Sequence, residues 1–107
     1  ADMVADARFI ANPHWQESLR AKTGNDSDVS DYVLSQPGVK DFEESYLATL
    51  KIVLAGYRKE NKRFATIAIG CTGGKHRSVA LTNEIAARLA EDAEIRVAVS
   101  HRDLGRE

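Results

Sequence analysis

The stretch Phe64–Leu81, FATIAIGCTGGKHRSVAL, constrains the fold more than any other part of the chain. Phe64 to Gly70 is almost continuously apolar, as in a strand buried on both faces of a parallel sheet. Gly70, Gly73 and Gly74 interrupt the run. Val79, Leu81, Ile85, Ala86 and Leu89 then recur at helical spacing, so SVALTNEIAARLAED forms a helix with one buried side. Strand, glycine turn and helix in that order are the parts of an α/β fold with parallel strands and right-handed crossovers.

The rest of the chain extends this reading. VADARFI (4–10) predicts a short first strand, broken by ANPHW. A short helix fits Gln16–Arg20, and KTGND is a loop. DSDVSDYVLSQ reads as a helix, with Asp and Ser to start it and Pro37-Gly38 to end it. Val39, Phe42, Tyr46, Leu50, Val53 and Tyr57 recur every three or four residues, and Leu47 and Leu54 widen the stripe. This predicts a long amphipathic helix whose basic end suits the helix dipole. Ile95–Ser100 predicts a third strand. The expected fold is therefore α/β, a small parallel sheet of about three or more strands flanked by helices, in a Rossmann-like three-layer sandwich. In such sheets ligands bind at the carboxyl ends of the strands. Asn12–Trp15, Cys71–Arg77 and His101–Asp103 should meet there.

Composition sets the outer limits. The chain has 107 residues, 43% of them hydrophobic and 29% charged, enough for one core. No apolar run approaches the roughly 20 residues that cross a bilayer, and no secretory pattern opens the chain. One cysteine excludes an internal disulfide framework and fits a reducing, cytoplasmic setting. The absence of an initiator methionine reads as a cut domain or a processed product. Net charge is −1, but it is segregated. Residues 1–50 carry nine acidic and four basic side chains, and residues 51–107, Arg106 among them, carry seven and eleven. Such a bias raises the local concentration of anions; a mixed solvated surface is the plainer alternative.

The glycine loop is a ready anion site. Glycines let backbone N–H groups turn inward, and the next helix offers its free first-turn N–H groups. Lys75, His76 and Arg77 add charge, Arg77 with a bidentate grip. Ser78 can cap the helix or donate to a phosphate. The nucleotide P-loop pattern fails, because Ile69 stands at its first glycine and His76 follows Lys75; the dinucleotide G-x-G-x-x-G pattern fails too. Cys71 to Arg77 is C-x5-R followed by Ser78, and it resembles the signature loop of protein tyrosine phosphatases. That chemistry would use Cys71 as nucleophile and Arg77 as phosphate holder. Asp103 and Asp26 are the nearest candidates for its acid. Against this, Cys71 can simply be a small buried residue. Trp15 reads as a core plug under the loop, and His14 and His101 as hydrogen-bonded strand-end residues. No pair of histidines has helical i, i+4 spacing, so no metal or other cofactor is expected.

GCTGGKHRS, with NPHW…LR…TG, DYVLSQPGVKDF and VSHRDL, resembles the C-terminal domain of the RapZ family of bacterial proteins, P-loop nucleotide-binding proteins described as RNase adapters. The likeness spans the whole chain, with an actinobacterial flavour, so residues 1–107 would be one domain lacking the family's N-terminal kinase-like domain and its nucleotide hydrolysis. It implies a non-catalytic sensor of a phosphorylated or UDP-linked amino sugar (glucosamine-6-phosphate or UDP-N-acetylglucosamine) in the regulation of cell-envelope amino-sugar metabolism. Cys71, Thr72, Gly73, Gly74, Lys75, His76, Arg77 and Ser78 would line the pocket. Asn12, His14, His101 and Arg102 would form its rim. It also implies a small RNA and an RNase as partners, the absent N-terminal domain as another, and a homo-oligomer, with no membrane. The tail HRDLGRE lacks the basic extension of enterobacterial members, which favours the sugar over RNA. Three readings thus stand: metabolite sensor, RNA-binding adapter module and cysteine phosphatase.

Overall fold

A computed structural model describes residues 1–105; Arg106 and Glu107 lie outside the described residues. Strand β1 (Met3–Asp6) is followed by a 3-10 turn at Pro13–Trp15 and a single turn of helix, α1 (Glu17–Arg20). Then come α2 (Ser27–Leu34), α3 (Val39–Lys59), β2 (Ile67–Gly70) and α4 (Arg77–Leu89). The two strands pair in parallel, Met3 opposite Ile67 through Asp6 opposite Gly70. The α/β class, the parallel pairing and every predicted helix are present.

Helix α4 is the centre of the packing, touching β2, α2 and α3. Its buried residues include Val79, Leu81, Ile85 and Leu89, the spacing predicted for its inner side. On α3 the deepest positions are Val39, Glu43, Leu47 and Leu50. Phe42 and Tyr46 pack at the margin of the core and stack on each other at 5.5 Å. The stripe is therefore shifted by about one residue from the predicted one. The shift buries Glu43, whose carboxylate accepts a 2.8 Å hydrogen bond from Arg88 of α4. Burial pushes the Glu43 pKa up, and nearby Glu84 adds to this; Arg88 opposes both.

The sheet is smaller than expected. Ile95–Ser100 forms no strand, and among the described residues the sheet has two strands. An extended segment becomes a strand only through a partner's backbone, and residues 96–100 make no backbone hydrogen bond to another described residue. Nor is β2 buried on both faces. Ile67 and Ile69 are half-buried, while Ala68 and Gly70 are exposed. Ala68 lies opposite Val4, which is 73% exposed, so among the described residues this face of the sheet is open and no third layer covers it. No helix among the described residues is long and apolar enough to cross a membrane.

Candidate functional site: the glycine loop

The loop from Cys71 to His76 joins the carboxyl end of β2 to the amino end of α4. Gly73 and Gly74 take φ of 82° and 66°, a left-handed conformation that other residues adopt at a cost. Two such residues in succession turn the backbone back on itself. Thr72 and Gly73 face solvent, Gly74 and Lys75 are half-buried, and His76, Arg77 and Ser78 are buried.

The Cys71 sulfur sits at the amino end of α4. It accepts from the Ser78 backbone N–H at 3.3 Å and lies 3.2 Å from the Ser78 hydroxyl. Burial alone would raise the thiol pKa. The Ser78 hydroxyl and amide, the Gly74 N–H and the Arg77 charge outweigh it, so the thiol lies below its ordinary value. Cys71 is half-buried and packs against the edge of the core.

His76 and Arg77 work inward. The His76 ring nitrogen Nε2 lies 3.2 Å from the Arg20 carbonyl, which can only accept, so Nε2 carries the proton. Burial holds the His76 pKa down and outweighs the opposing support of the Arg20 and Lys22 backbone; the Lys75 charge adds a smaller push in the same direction as burial. Arg77 is only 5% exposed. One of its terminal nitrogens donates to the Ile10 carbonyl at 3.0 Å and the Arg8 carbonyl at 3.2 Å. Its Nε is buried without a hydrogen-bond partner among the described residues, and no carboxylate there forms an ion pair with it. These two side chains tie the segment after β1 and the end of α1 to the start of α4. Lys75 likewise forms no ion pair among the described residues.

Of the expected rim, the structure gathers some members directly. His101 Nε2 lies 2.9 Å from Asn83 Oδ1, on the outer side of α4. The Asp103 side chain rests on Gly74 so closely that a Cβ there would be 2.7 Å from Oδ2. Arg102 is exposed and its side chain contacts the Asp103 carboxylate at 3.4 Å. Asn12 accepts from the His14 backbone N–H at 3.0 Å and so caps the 3-10 turn. The His14 ring packs edge-on against Trp15 at 5.3 Å, and no hydrogen bond among the described residues joins its side chain to the loop. Trp15 is not a core plug: it is 74% exposed, because Pro13 takes the buried place in that turn. Asp26 accepts from the Thr23 N–H at the start of α2, whereas Asp103 is the acidic residue at the glycine loop.

Sequence reading missed Gly24, Asn25 and Asn83. The Gly24 N–H donates to the Lys75 carbonyl at 2.9 Å. A Cβ on Gly24 would collide with the Ala80 nitrogen and come within 2.5 Å of the His76 oxygen and 2.8 Å of the Val79 Cβ. Asn83 donates to Asn25 Oδ1 at 2.8 Å, so Asn25, Asn83 and His101 form one chain across α4. The glycine in KTGND was the available signal; Asn83 had none, being a polar residue on a regular helix.

Residues 1–105 match the RapZ C-terminal domain family. All 107 residues align at 59% identity with a nucleotide-binding protein of Mycobacteroides abscessus, covering 36% of that protein. A nucleotide-binding protein of Paenarthrobacter aurescens is also 59% identical, with 35% of its length covered. One from Rhodococcus erythropolis is 54% identical, with 36% covered. The chain thus spans about a third of the length of these relatives. It belongs to the RapZ C-terminal domain family.

Proposed function

We propose that this domain is a non-catalytic ligand sensor whose glycine loop takes the phosphate of a phosphorylated or UDP-linked amino sugar. One observation carries the reading. Arg77 is a buried guanidinium without a carboxylate partner among the described residues, at the first position of the 13-residue helix that follows a left-handed glycine pair. Buried charge is costly unless paired, and the amino end of a helix favours an anion. The direct contacts would come from the loop amides, Lys75 and the Ser78 hydroxyl, with Arg77 supplying charge from below. His14 and His101 would meet the sugar from the rim. Regulation of amino-sugar metabolism in the cytoplasm, RNA and RNase partners, and assembly with a nucleotide-binding domain are proposals from the resemblance.

Calorimetric titration with glucosamine-6-phosphate, UDP-N-acetylglucosamine and inorganic phosphate tests the reading. One sugar ligand should bind more tightly than phosphate. Lys75→Ala should weaken it about tenfold, the worth of one charge-assisted hydrogen bond. No heat with any of the three, at concentrations to the millimolar range, would reject it.

A second reading rests on Cys71 and Asp103. A thiol held by the Ser78 hydroxyl and amide, with a carboxyl group at the same loop, has the parts of a cysteine phosphatase. Against it, one terminal Arg77 nitrogen is spent on carbonyls and the side chain points inward. Hydrolysis of an aryl phosphate that disappears in Cys71→Ser would favour it; no turnover and no vanadate binding would remove it.

A further inference from the structure

On the side of β2 away from β1 lies a cavity of about 500 Å³, outside the glycine loop. Leu54, Ile67, Ile69, Ile85 and Leu89 give it an apolar lining, and Arg63 and Arg96 stand among its charged residues. Its remaining wall is the segment from Glu94 to Val99. Val97 and Val99 in that wall are 38% and 45% exposed.

The backbone beside this cavity is incomplete. The Thr66 and Gly70 carbonyls of the β2 segment bond to β1. Backbone groups alternate sides along a strand, so those of Ile67 and Ile69 face the opposite edge. No backbone hydrogen bond joins them to residues 95–100. An open edge of this kind is a template for another strand. The neighbouring segment has the chemistry for it: Ile95, Val97 and Val99 are β-branched and alternate with smaller or charged residues. It follows β2 through a helix, the connection that a right-handed parallel crossover requires.

The segment is also tethered at both ends and free between them. At its start, Ile95 N–H donates to the Asp92 carbonyl at 3.0 Å, and Glu94 pairs with Arg58 at 2.9 Å. At its end, His101 is held by Asn83 and Asp103 rests on Gly74. Residues 96–100 make no backbone hydrogen bond with other described residues.

We propose that Ile95–Ser100 is a strap with a second position, in which it pairs with the free edge of β2 as a third parallel strand, fills the cavity, and carries Asp103 off an occupied glycine loop. The coupling to the loop rests on the anion-binding reading above; the pairing does not. An anion at Gly73 and Gly74 must share its space with the Asp103 carboxylate, and like charges repel. Asp103 therefore shifts when the loop is occupied, and the strap to which it is joined moves with it.

Residue-resolved amide exchange on this chain, with and without saturating inorganic phosphate, tests the proposal. In phosphate, the amides of Ile67, Ile69 and alternate strap residues should exchange at least tenfold more slowly. Val97→Asp, which puts a charge into the apolar cavity, should remove that slowing while the Gly73 and Gly74 signals still respond to phosphate. Strap and Ile67/Ile69 amides that exchange at unstructured rates in both conditions overturn the proposal. Slowing that grows with protein concentration overturns it too, because copies are then pairing edge to edge. If Gly73 and Gly74 ignore phosphate, the anion reading and the coupling fail together. The pairing is then decided in plain buffer: Ile67 and Ile69 amides slower than in Val97→Asp support it, and equal rates overturn it.

Discussion

The two sides of β2 are built differently. At its carboxyl end, the glycine loop is held by contacts that allow little change: Gly24 against α4, His76 on Arg20, and Arg77 on Arg8 and Ile10. Along its free edge, an apolar cavity is covered by a segment tied only at its ends. Phe64, at the edge of this second region, is 87% exposed. The contrast shows where the chain concentrates its polar contacts. They fix the loop that would meet a charged ligand, and leave the other side to side-chain packing that one more strand would complete.

The largest expected effect lies at the tight side. Gly24→Ala places a methyl group against backbone atoms of α4, which cannot swing away as a side chain can. It should cost about 3 kcal/mol or more in chemical denaturation. A loss below about 1 kcal/mol would mean that the KTGND loop and α4 are less closely joined than these contacts indicate.

Arg77→Met comes next. The methionine keeps much of the volume but leaves the Arg8 and Ile10 carbonyls without their donor. A loss of about 1–3 kcal/mol follows from unpaired buried acceptors, reduced by the removal of an unpaired buried charge. The sharper readout is ligand linkage. A bound anionic sugar should raise the melting temperature of the native chain and fail to raise that of Arg77→Met. Equal rises in both would assign Arg77 to structure alone.

Between the two regions, α3 and α4 are joined by Glu43 and Arg88. The Glu43 carboxyl is buried and its pKa is raised. Its protonated form is therefore favoured by folding, and the stability it lends is present at acid pH and lost as pH rises through the folded pKa. Arg88 offsets that loss at neutral pH. Arg88→Ala should then cost about 1–2 kcal/mol near pH 7, because the Arg88 side chain is 44% exposed and the pair is only partly shielded. The cost should shrink as the carboxyl protonates on acidification. Denaturation curves of both chains at about pH 3 and pH 7, either side of the ordinary carboxyl range, check this; a cost that grows toward acid pH would contradict the assignment.

What could be read from the residues follows the same division. Helical periodicity needs only local sequence, so α3 and α4 were legible from the spacing of Val39, Leu50, Leu81 and Ile85, and α2 from its Asp and Ser start and the Pro37-Gly38 that ends it. The loop was legible because glycine pairs and a following helix define a backbone shape. The third strand was not, because Val97 and Val99 show β propensity but propensity cannot supply a partner edge. The inward turn of Arg77 was not legible either. A basic residue beside a glycine loop looks like a ligand contact until the carbonyls of Arg8 and Ile10 are brought against it. Trp15 failed for a related reason: its size argued for burial, while Pro13 in the same turn was small enough to fit.

The smallest expected effect belongs to the open side and tests the comparison most directly. Phe64 is a large apolar residue at the cavity, yet it is almost fully exposed. An exposed side chain has little burial to lose, so Phe64→Ala should change stability by no more than about 0.5 kcal/mol. Urea denaturation of the two chains at one protein concentration measures it. A loss above about 2 kcal/mol would show that Phe64 is covered in solution, and the open side would then be as firmly closed as the glycine loop. Repeating the comparison at tenfold dilution identifies the cover: a loss that fades on dilution points to a second copy, and a constant loss to the chain's own strap.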